Sequence, residues 1–231
     1  MDTCAMVDSS PPMDIEEEVT TLLQSRRYDP EILPTLEAYV EHQVATGTND
    51  AMANLATLKL YQFYPATYRT AVVSKILIKA IMALPSTDFL CATYLIPAAT
   101  AEDEPIPALA QLASMLETGR FEEFWPATGA VRQLLDGVPG FDEAVRSFML
   151  VVIGRTYKRV ERTVLARLLG LEGVDEAAEE AAVEEVIKTV GWKAGEGGMV
   201  VVPGNGENEE RAKTVGEQLT FRQVAFKMLR N

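Results

Sequence analysis

The residues that could support catalysis or bind a metal ion are few and scattered. The single histidine, His42, lies in a predicted helix beside Glu41, with no second imidazole to share a metal ion. A lone histidine of this kind is typical of a surface or half-buried position rather than of a general base. Cys91 lies between the apolar residues Phe89 and Leu95, where we expect a small buried side chain. We therefore predict no catalytic residue, no metal site and no cofactor.

Three glycines near the C-terminal end of the chain do not form a phosphate-binding loop. Gly195, Gly197 and Gly198 fit neither the Walker pattern nor the dinucleotide-binding pattern. They precede the apolar run that starts at Met199, and this placement is typical of a tight turn between two strands. The glycines therefore predict a β-hairpin.

The composition favours a globular protein that binds other proteins. The chain has 231 residues, 48% hydrophobic content and a net charge of -13, which allows one or two buried cores and opposes general affinity for nucleic acids or anionic membranes. The first residues lack a signal-peptide pattern, and Lys75 and Lys79 interrupt the most apolar run. With only two cysteines, we expect a cytoplasmic protein without disulfides or membrane contact.

Apolar residues recur at helical spacing through residues 14–140. The clearest stripe lies in one helix that ends before Pro85. Shorter helical stripes precede and follow it, separated by proline, glycine and serine. The stripe consists of Val72, Val73, Ile76, Leu77, Ala80, Ile81 and Leu84. Two of the shorter stripes are Met52, Ala56, Leu60 and Phe63 before it, and Ile106, Leu109, Leu112, Ala113 and Leu116 after it. The pattern predicts a mainly α protein whose residues 14–140 form a helical-repeat (HEAT-like) domain of antiparallel pairs, after a flexible tail at residues 1–13.

Residues 141–202 read as a winged-helix domain with a small β-hairpin wing. A helix over 141–157, apolar on every side around Leu150, should be covered all round. Helices over 160–171 and 176–190 should follow, and two strands within 192–202 should form the wing. The inward face of the third helix is predicted to be Ala178, Ala181, Ala182, Val186 and Val190.

The charge of the third helix argues against DNA recognition. It carries Glu176, Glu179, Glu180, Glu184 and Glu185 against one lysine, Lys188. In a winged helix this element usually enters the major groove, where these glutamates would repel phosphates. We therefore expect the domain to bind protein, and we expect no direct sequence-specific nucleic-acid binding.

One cluster of basic residues supports an alternative function. A winged-helix regulator could use it to contact nucleic-acid phosphates, whereas the competing interpretation is a solvated face or a surface for an acidic partner. This candidate basic contact patch consists of Arg155, Lys158, Arg159, Arg162 and Arg167.

The C-terminal residues predict a tethered amphipathic helix. Residues 203–216 are rich in glycine and glutamate and read as a flexible acidic linker, and residues 217–231 read as a helix with one apolar face. This helix either docks on its own domain or joins helices of a partner. The candidate partner interface combines this face with the wing, as Trp192, Val200, Val202, Phe221, Val224, Ala225, Met228 and Leu229.

Several sequence blocks together resemble a known family. The chain is similar to subunit k of eukaryotic translation initiation factor three across residues 28–202. Each block alone is only an amphipathic helix, but the ordered set is specific. The blocks are ANLATLKLYQFYP (53–65), ILIKAIMALPSTDF (76–89), MLETGRFEEFW (115–125), GFDEAVRSF (140–148) and the pair Gly191-Trp192.

The resemblance implies a fold and a role. It implies a helical-repeat domain followed by a winged helix of the type found in scaffold subunits of the proteasome lid and the COP9 signalosome. It also implies a non-catalytic, peripheral subunit that contacts other subunits of the factor, especially subunit l, and reaches the small ribosomal subunit at most indirectly. The family pattern supplies no catalytic residues to transfer to this chain.

Overall fold

The computed structural model describes residues 14–98, 100–171 and 176–209, and these are mainly helical. The predicted tail at residues 1–13 and the predicted helix at 217–231 lie outside the described residues. The helices of the first part are α1 (Ile15–Ser25), α2 (Leu33–Thr46), α3 (Ala51–Phe63), α4 (Thr70–Met82), α5 (Asp88–Thr93), α6 (Ile106–Glu117), α7 (Phe121–Thr128) and α8 (Arg132–Asp136).

Local signals define the boundaries of the first helix pair. Gly47, with a φ of 75°, ends α2 in the left-handed conformation that favours glycine. The Asp50 carboxylate then accepts hydrogen bonds from the backbone amides of Met52 and Ala53 at 3.0 Å each. This capping begins α3 only a few residues after α2 ends, and the two helices pack against each other.

The predicted apolar stripe of α4 forms the centre of the helical part. Val73, Ile76, Leu77 and Ile81 are all buried, and α4 contacts α2, α5, α6 and α9. A helix with neighbours on so many sides must be apolar over most of its circumference. This explains why α4 lies in the most hydrophobic run of the chain.

The stripe predicted for α3 is partly wrong. Ala56 and Leu60 are buried as expected, but Met52 and Phe63 are 56% and 51% exposed. Tyr61, at 0% exposure, lies in the core instead, and its hydroxyl donates a hydrogen bond to Glu37 at 2.7 Å. The buried residues of α3 also include Ala53 and Thr57, so its buried face is turned away from Met52 and Phe63.

The described residues between 141 and 209 contain three more α-helices and three strands. Their order is α9 (Phe141–Thr156), β1 (Arg159–Glu161), α10 (Arg162–Leu169), α11 (Glu176–Val190), β2 (Lys193–Ala194) and β3 (Met199–Val201). The strands form an antiparallel sheet with the order β1-β3-β2, in which Val160 lies opposite Val200 and Lys193 opposite Val201.

Strand β1 corrects the predicted start of the second helix. Val160, expected as the first apolar residue of that helix, is a buried strand residue, and α10 begins at Arg162. The predicted two-stranded hairpin corresponds to β2 and β3, and β1 adds a third strand on the other side of β3. β3 is its central strand, and Val200 in the middle of β3 is fully buried.

The two parts of the chain share one hydrophobic core. α9 packs against α4 of the helical part and against α10. The indole Nε1 of Trp125 in α7 donates a hydrogen bond to the carbonyl of Leu168 in α10 at 3.0 Å. Arg146 of α9 donates from Nε to the Leu169 carbonyl, also at 3.0 Å. The C-terminal end of α10 is thereby held by helices on both sides.

Candidate functional site

The described residues contain no group of histidine, cysteine and acidic side chains that could hold a metal ion. His42 is exposed on α2 and stacks on Tyr39 with ring centroids 6.3 Å apart. Cys91 is also exposed, on α5, so the prediction that it is a core residue is wrong. Within the part of the chain that the structure covers, no helix has the length and apolarity needed to cross a membrane.

The structure pairs two of the predicted basic residues with glutamates. Arg155, at the end of α9, forms an ion pair with Glu207 at 3.3 Å. Arg162, at the start of α10, pairs with Glu184 of α11 at 2.9 Å and lies 3.8 Å from Glu180. Arg159 and Arg167 are exposed on β1 and α10. Because glutamates pair with two of these cations, the net positive charge of the set is reduced.

The predicted interface residues of the wing are mostly core residues. Trp192, Val200 and Val202 are 8%, 0% and 5% exposed, because the sheet packs them against the helices. Val200 is consequently unavailable for direct contact with a partner. Trp192 and Val202 line a groove of the domain. The other members of that set, Phe221, Val224, Ala225, Met228 and Leu229, lie outside the described residues.

A groove between α9 and α11 forms a concave surface among the described residues, with a volume of about 930 Å³. One wall is the face of α9 that carries Leu150 and Val151, and the other is the face of α11 that carries Ala182, Val186 and Val190. Trp192 and Val202 line the groove at the sheet, and Pro203, Gly204 and Asn205 line it where the chain leaves the sheet. We call this feature the α9/α11 groove.

The walls of the groove correct two predictions about helix faces. α9 was expected to be covered on every side, yet Val151 is 47% exposed whereas Met149 and Ile153 are buried. For α11, the buried residues are Val183 and Ile187. Among the residues predicted to point inward, Ala178 and Ala181 are exposed, and Ala182, Val186 and Val190 line the groove instead.

The two arginines that line the groove already interact with other groups of the same chain. The Arg146 guanidinium lies 4.9 Å from the centre of the Trp125 ring, and its Nε bonds to the Leu169 carbonyl. Arg155 is paired with Glu207. Glu143 and Glu185 complete the charged side chains of the lining. The surface left for a ligand is therefore an apolar strip with acidic residues beside it, which suits an amphipathic helix better than a small polar molecule.

The residues after β3 are ordered against α9. Asn208 is 7% exposed, and its Nδ2 lies 3.2 Å from the Gly154 carbonyl and 3.3 Å from the Tyr157 carbonyl. Asn205 Nδ2 also donates to the Gly154 carbonyl at 2.8 Å. Residues 203–209, the first part of the predicted linker, thus form a packed extension of the domain, and the rest of that linker lies outside the described residues.

Comparison with known proteins assigns this architecture to a family. A family model described as the CSN8/PSMD8/EIF3K family matches residues 67–214. Eukaryotic translation initiation factor 3 subunit K of Xenopus laevis is 40% identical over 199 residues, which cover 86% of this chain and 88% of that protein. The human subunit K is 38% identical over the same shares. The Nematostella vectensis protein is 40% identical over 86% of this chain and 89% of its own.

These matches span both the helical part and the residues that form the α9/α11 groove. Identity of this level over most of both chains is far above what a shared fold alone requires. The chain therefore belongs to the CSN8/PSMD8/EIF3K family and, within it, to the proteins named eukaryotic translation initiation factor 3 subunit K.

Proposed function

We propose that this chain is a non-catalytic interaction subunit of translation initiation factor 3 that works in the cytoplasm. In this role it contacts other subunits of the factor, pairs with subunit l and supports assembly of the initiation complex on the small ribosomal subunit. The observation that carries the proposal is the 40% identity to a subunit K protein over 86% of the chain.

We propose two modules for this role. Residues 14–140 serve as a helical-repeat (HEAT-like) array, and residues 141–202 serve as a winged helix. The second assignment is supported by the order helix, strand, helix, helix, strand, strand from α9 to β3. An array supplies an extended surface, and a compact module beside it can dock a homologous module.

Two elements are proposed as adhesive surfaces. Strand β2 lies at the edge of the sheet, and its residues Lys193 and Ala194 are exposed, so a partner strand or loop can approach that edge. The second element is the apolar face predicted for residues 217–231. Trp192 and Val202 then act by shaping the α9/α11 groove rather than by forming an exposed wing surface.

Complex formation with subunit l tests the proposal. The full chain and subunit l of the same organism are mixed and separated by size-exclusion chromatography with mass determination. We expect a one-to-one complex. A truncation after Glu209 is the matched variant, because residues 203–209 pack on α9 and should stay with the fold.

Each result has a defined meaning. If the full chain and subunit l elute separately at micromolar concentration, the pairing proposal is wrong. If the truncated chain binds subunit l as tightly as the full chain does, residues 210–231 have no part in that interface.

The second candidate function is nucleic-acid binding through the basic region from Arg155 to Arg167, in which Arg159 and Arg167 are exposed on β1 and α10. It predicts binding of the isolated chain to RNA that weakens steeply as salt increases. Fluorescence anisotropy with a labelled single-stranded RNA at about 50 mM and about 200 mM salt measures this dependence. We expect no binding, because Arg155 and Arg162 are paired with glutamates and α11 is acidic.

A further inference from the structure

The α9/α11 groove exposes apolar side chains that a protein in water normally covers. Val151 is 47% exposed and Val190 is 38% exposed, and both line the groove together with Leu150 and Val186. Adjacent apolar residues on two facing helices form the type of surface that receives a third amphipathic helix. We propose that residues 217–231 of the same chain are that helix and pack into the groove in the free subunit.

The described chain ends within tether length of the groove. Pro203, Gly204 and Asn205 form part of the groove lining, and Asn205 and Asn208 fasten this stretch to the C-terminal end of α9. The described chain ends at Glu209. From there, eleven steps lead to Thr220, a distance of up to about 36 Å when extended. Either end of the groove is within reach.

The length of the predicted helix matches the groove. Residues 220–231 would form a helix of about 18 Å at about 1.5 Å per residue. The α9 wall runs from Glu143 to Arg155, which is also about 18 Å along a helix. The apolar face formed by Phe221, Val224 and Met228, with Ala225 and Leu229 beside it, can therefore contact the whole wall in a single pass.

The charges of the two elements are complementary. Residues 220–231 contain three basic residues, Arg222, Lys227 and Arg230, and no acidic residue, in a chain whose net charge is -13. The acidic side chains that line the groove are Glu185 of α11 and Glu143 of α9, and its two arginines are already engaged, Arg146 with the Leu169 carbonyl and Arg155 with Glu207. Attraction between the basic residues of the segment and these two carboxylates orients the helix in the groove.

The docked helix would control access of a partner to the groove. In the free subunit it shields the apolar walls from water, and a partner that offers a longer or better fitting helix must displace it. Intramolecular docking benefits from the high effective concentration that a short tether provides. The inference concerns the isolated chain, so it does not depend on the proposed pairing with subunit l.

Thiol accessibility in the full chain tests this inference. Val151→Cys is introduced into a Cys4→Ser/Cys91→Ser chain, and the rate at which the new groove thiol reacts with a bulky maleimide is measured without any partner. Met228→Glu places a charge on the apolar face of the C-terminal segment, and Gln223→Glu places the same charge on the opposite face. We expect the groove thiol to react about tenfold more slowly in the parent and in Gln223→Glu than in Met228→Glu.

A second thiol controls for general effects. The natural Cys91, exposed on α5, is measured in chains with Cys4→Ser and Val151 intact, and its rate should be equal in all backgrounds. Equal rates at the groove thiol with and without Met228→Glu would overturn the proposal. Protection of the groove thiol that disappears on dilution would identify a second copy of the chain as the occupant. Protection that arises only on adding subunit l would identify a partner helix. Either result would also overturn the proposal.

Discussion

Gly170 lies directly against the indole ring of Trp125. A β-carbon at position 170 would be 2.4 Å from Cδ2 of that ring, closer than any real contact of this kind. Gly170 also has a φ of 60° and ends α10 in the left-handed conformation. The same ring donates the hydrogen bond to the Leu168 carbonyl. A single glycine thus lets α7 of the helical part approach the end of α10.

We predict that Gly170→Ala destabilises the whole chain. The left-handed conformation and the contact with the Trp125 ring should together lower the free energy of unfolding by about 3 kcal/mol. Chemical denaturation followed by circular dichroism measures this loss. Gly47→Ala is the matched control, because Gly47 ends α2 with a φ of 75° and has no atom within 4 Å of the added carbon. We expect a loss of about 1 kcal/mol there, and equal losses would show that the ring contact is unimportant.

A buried amide pair joins the first two long helices, and we predict strong coupling between its members. Gln43 donates to Asn54 Oδ1 at 3.0 Å and accepts from the Asp50 amide at 2.8 Å. Gln43→Leu leaves the Asn54 side-chain oxygen and the Asp50 backbone amide without this partner, and it should lower the free energy of unfolding by about 2–3 kcal/mol. Asn54→Leu should cost a similar amount.

The double variant decides whether these residues act together. If the amides form one network, Gln43→Leu/Asn54→Leu should cost less than the two single losses added, by about 1 kcal/mol or more. Denaturant unfolding of all four chains gives this difference. Strict additivity would mean that the two side chains stabilise the helices independently.

The sequence predicts most clearly those helices whose apolar periodicity has one interpretation. The α4 stripe is buried as predicted except for Leu84, which is half-buried beyond the end of the helix, and the α6 stripe, with Leu109, Leu112 and Leu116, is buried. The face of helix α11 is ambiguous in the sequence because alanines and valines occur on several sides of it. Val186, predicted to point inward, is one position before the buried Ile187, so the predicted face is turned by about 100° around the helix.

Other features depend on contacts that no local pattern encodes. Strand β1 has only three residues, too few for a periodic signal, and it exists because Val160 pairs with Val200 of a distant strand. The α9/α11 groove is formed by α9, α11 and residues 202–205, which meet only in the tertiary structure. Asn205 and Asn208 occur in a stretch with the composition of a linker, and their role follows from their proximity to the end of α9.

The buried lysine of α4 offers a test of electrostatic cost. Lys79 is 3% exposed, and its Nζ lies 3.4 Å from the Gln43 carbonyl, a weak hydrogen bond. Because burial removes hydration from the ammonium group, it lowers the pKa of Lys79 below the ordinary value of 10.5. We predict that Lys79→Met raises the free energy of unfolding at pH 7 by about 1–2 kcal/mol.

The advantage of Lys79→Met should shrink as the pH rises. Between the lowered pKa of the folded state and 10.5, the unfolded wild-type chain binds more protons, so wild-type stability increases with pH in this window. The free energy of unfolding is measured for the wild type and for Lys79→Met at pH 7 and about pH 10. The difference between the two chains at each pH reports on the lysine alone, because both chains contain the same tyrosines. Lys75→Met is the control, since Lys75 on the same helix pairs with Glu41 at 2.6 Å near the surface and should change stability by less than about 1 kcal/mol. If the difference in unfolding free energy between Lys79→Met and the wild type were the same at both pH values, this explanation would be wrong.

The last prediction concerns how residues 203–209 are held on the domain. Asn208 Nδ2 lies within hydrogen-bonding distance of the carbonyls of Gly154, Tyr157 and Pro203, which share its two N–H groups, and Asn208 Oδ1 accepts from the Asn205 amide at 2.8 Å. Asn208→Ala removes these bonds, so a glutamate-specific protease should cut after Glu207 or Glu209 several times faster than in the wild type. Mass spectrometry of the timed digest locates the cuts.

A second contact of the same segment supplies the comparison. Arg155→Ala removes only the exposed ion pair to Glu207, whose side chains are 62% and 61% exposed, and such pairs contribute little to stability. Cleavage of this variant should therefore match the wild type. If both substitutions accelerate cleavage equally, the ion pair rather than the buried amide holds the segment. If neither does, the backbone and Asn205 suffice, and Asn208 is not required to anchor the chain beside the α9/α11 groove.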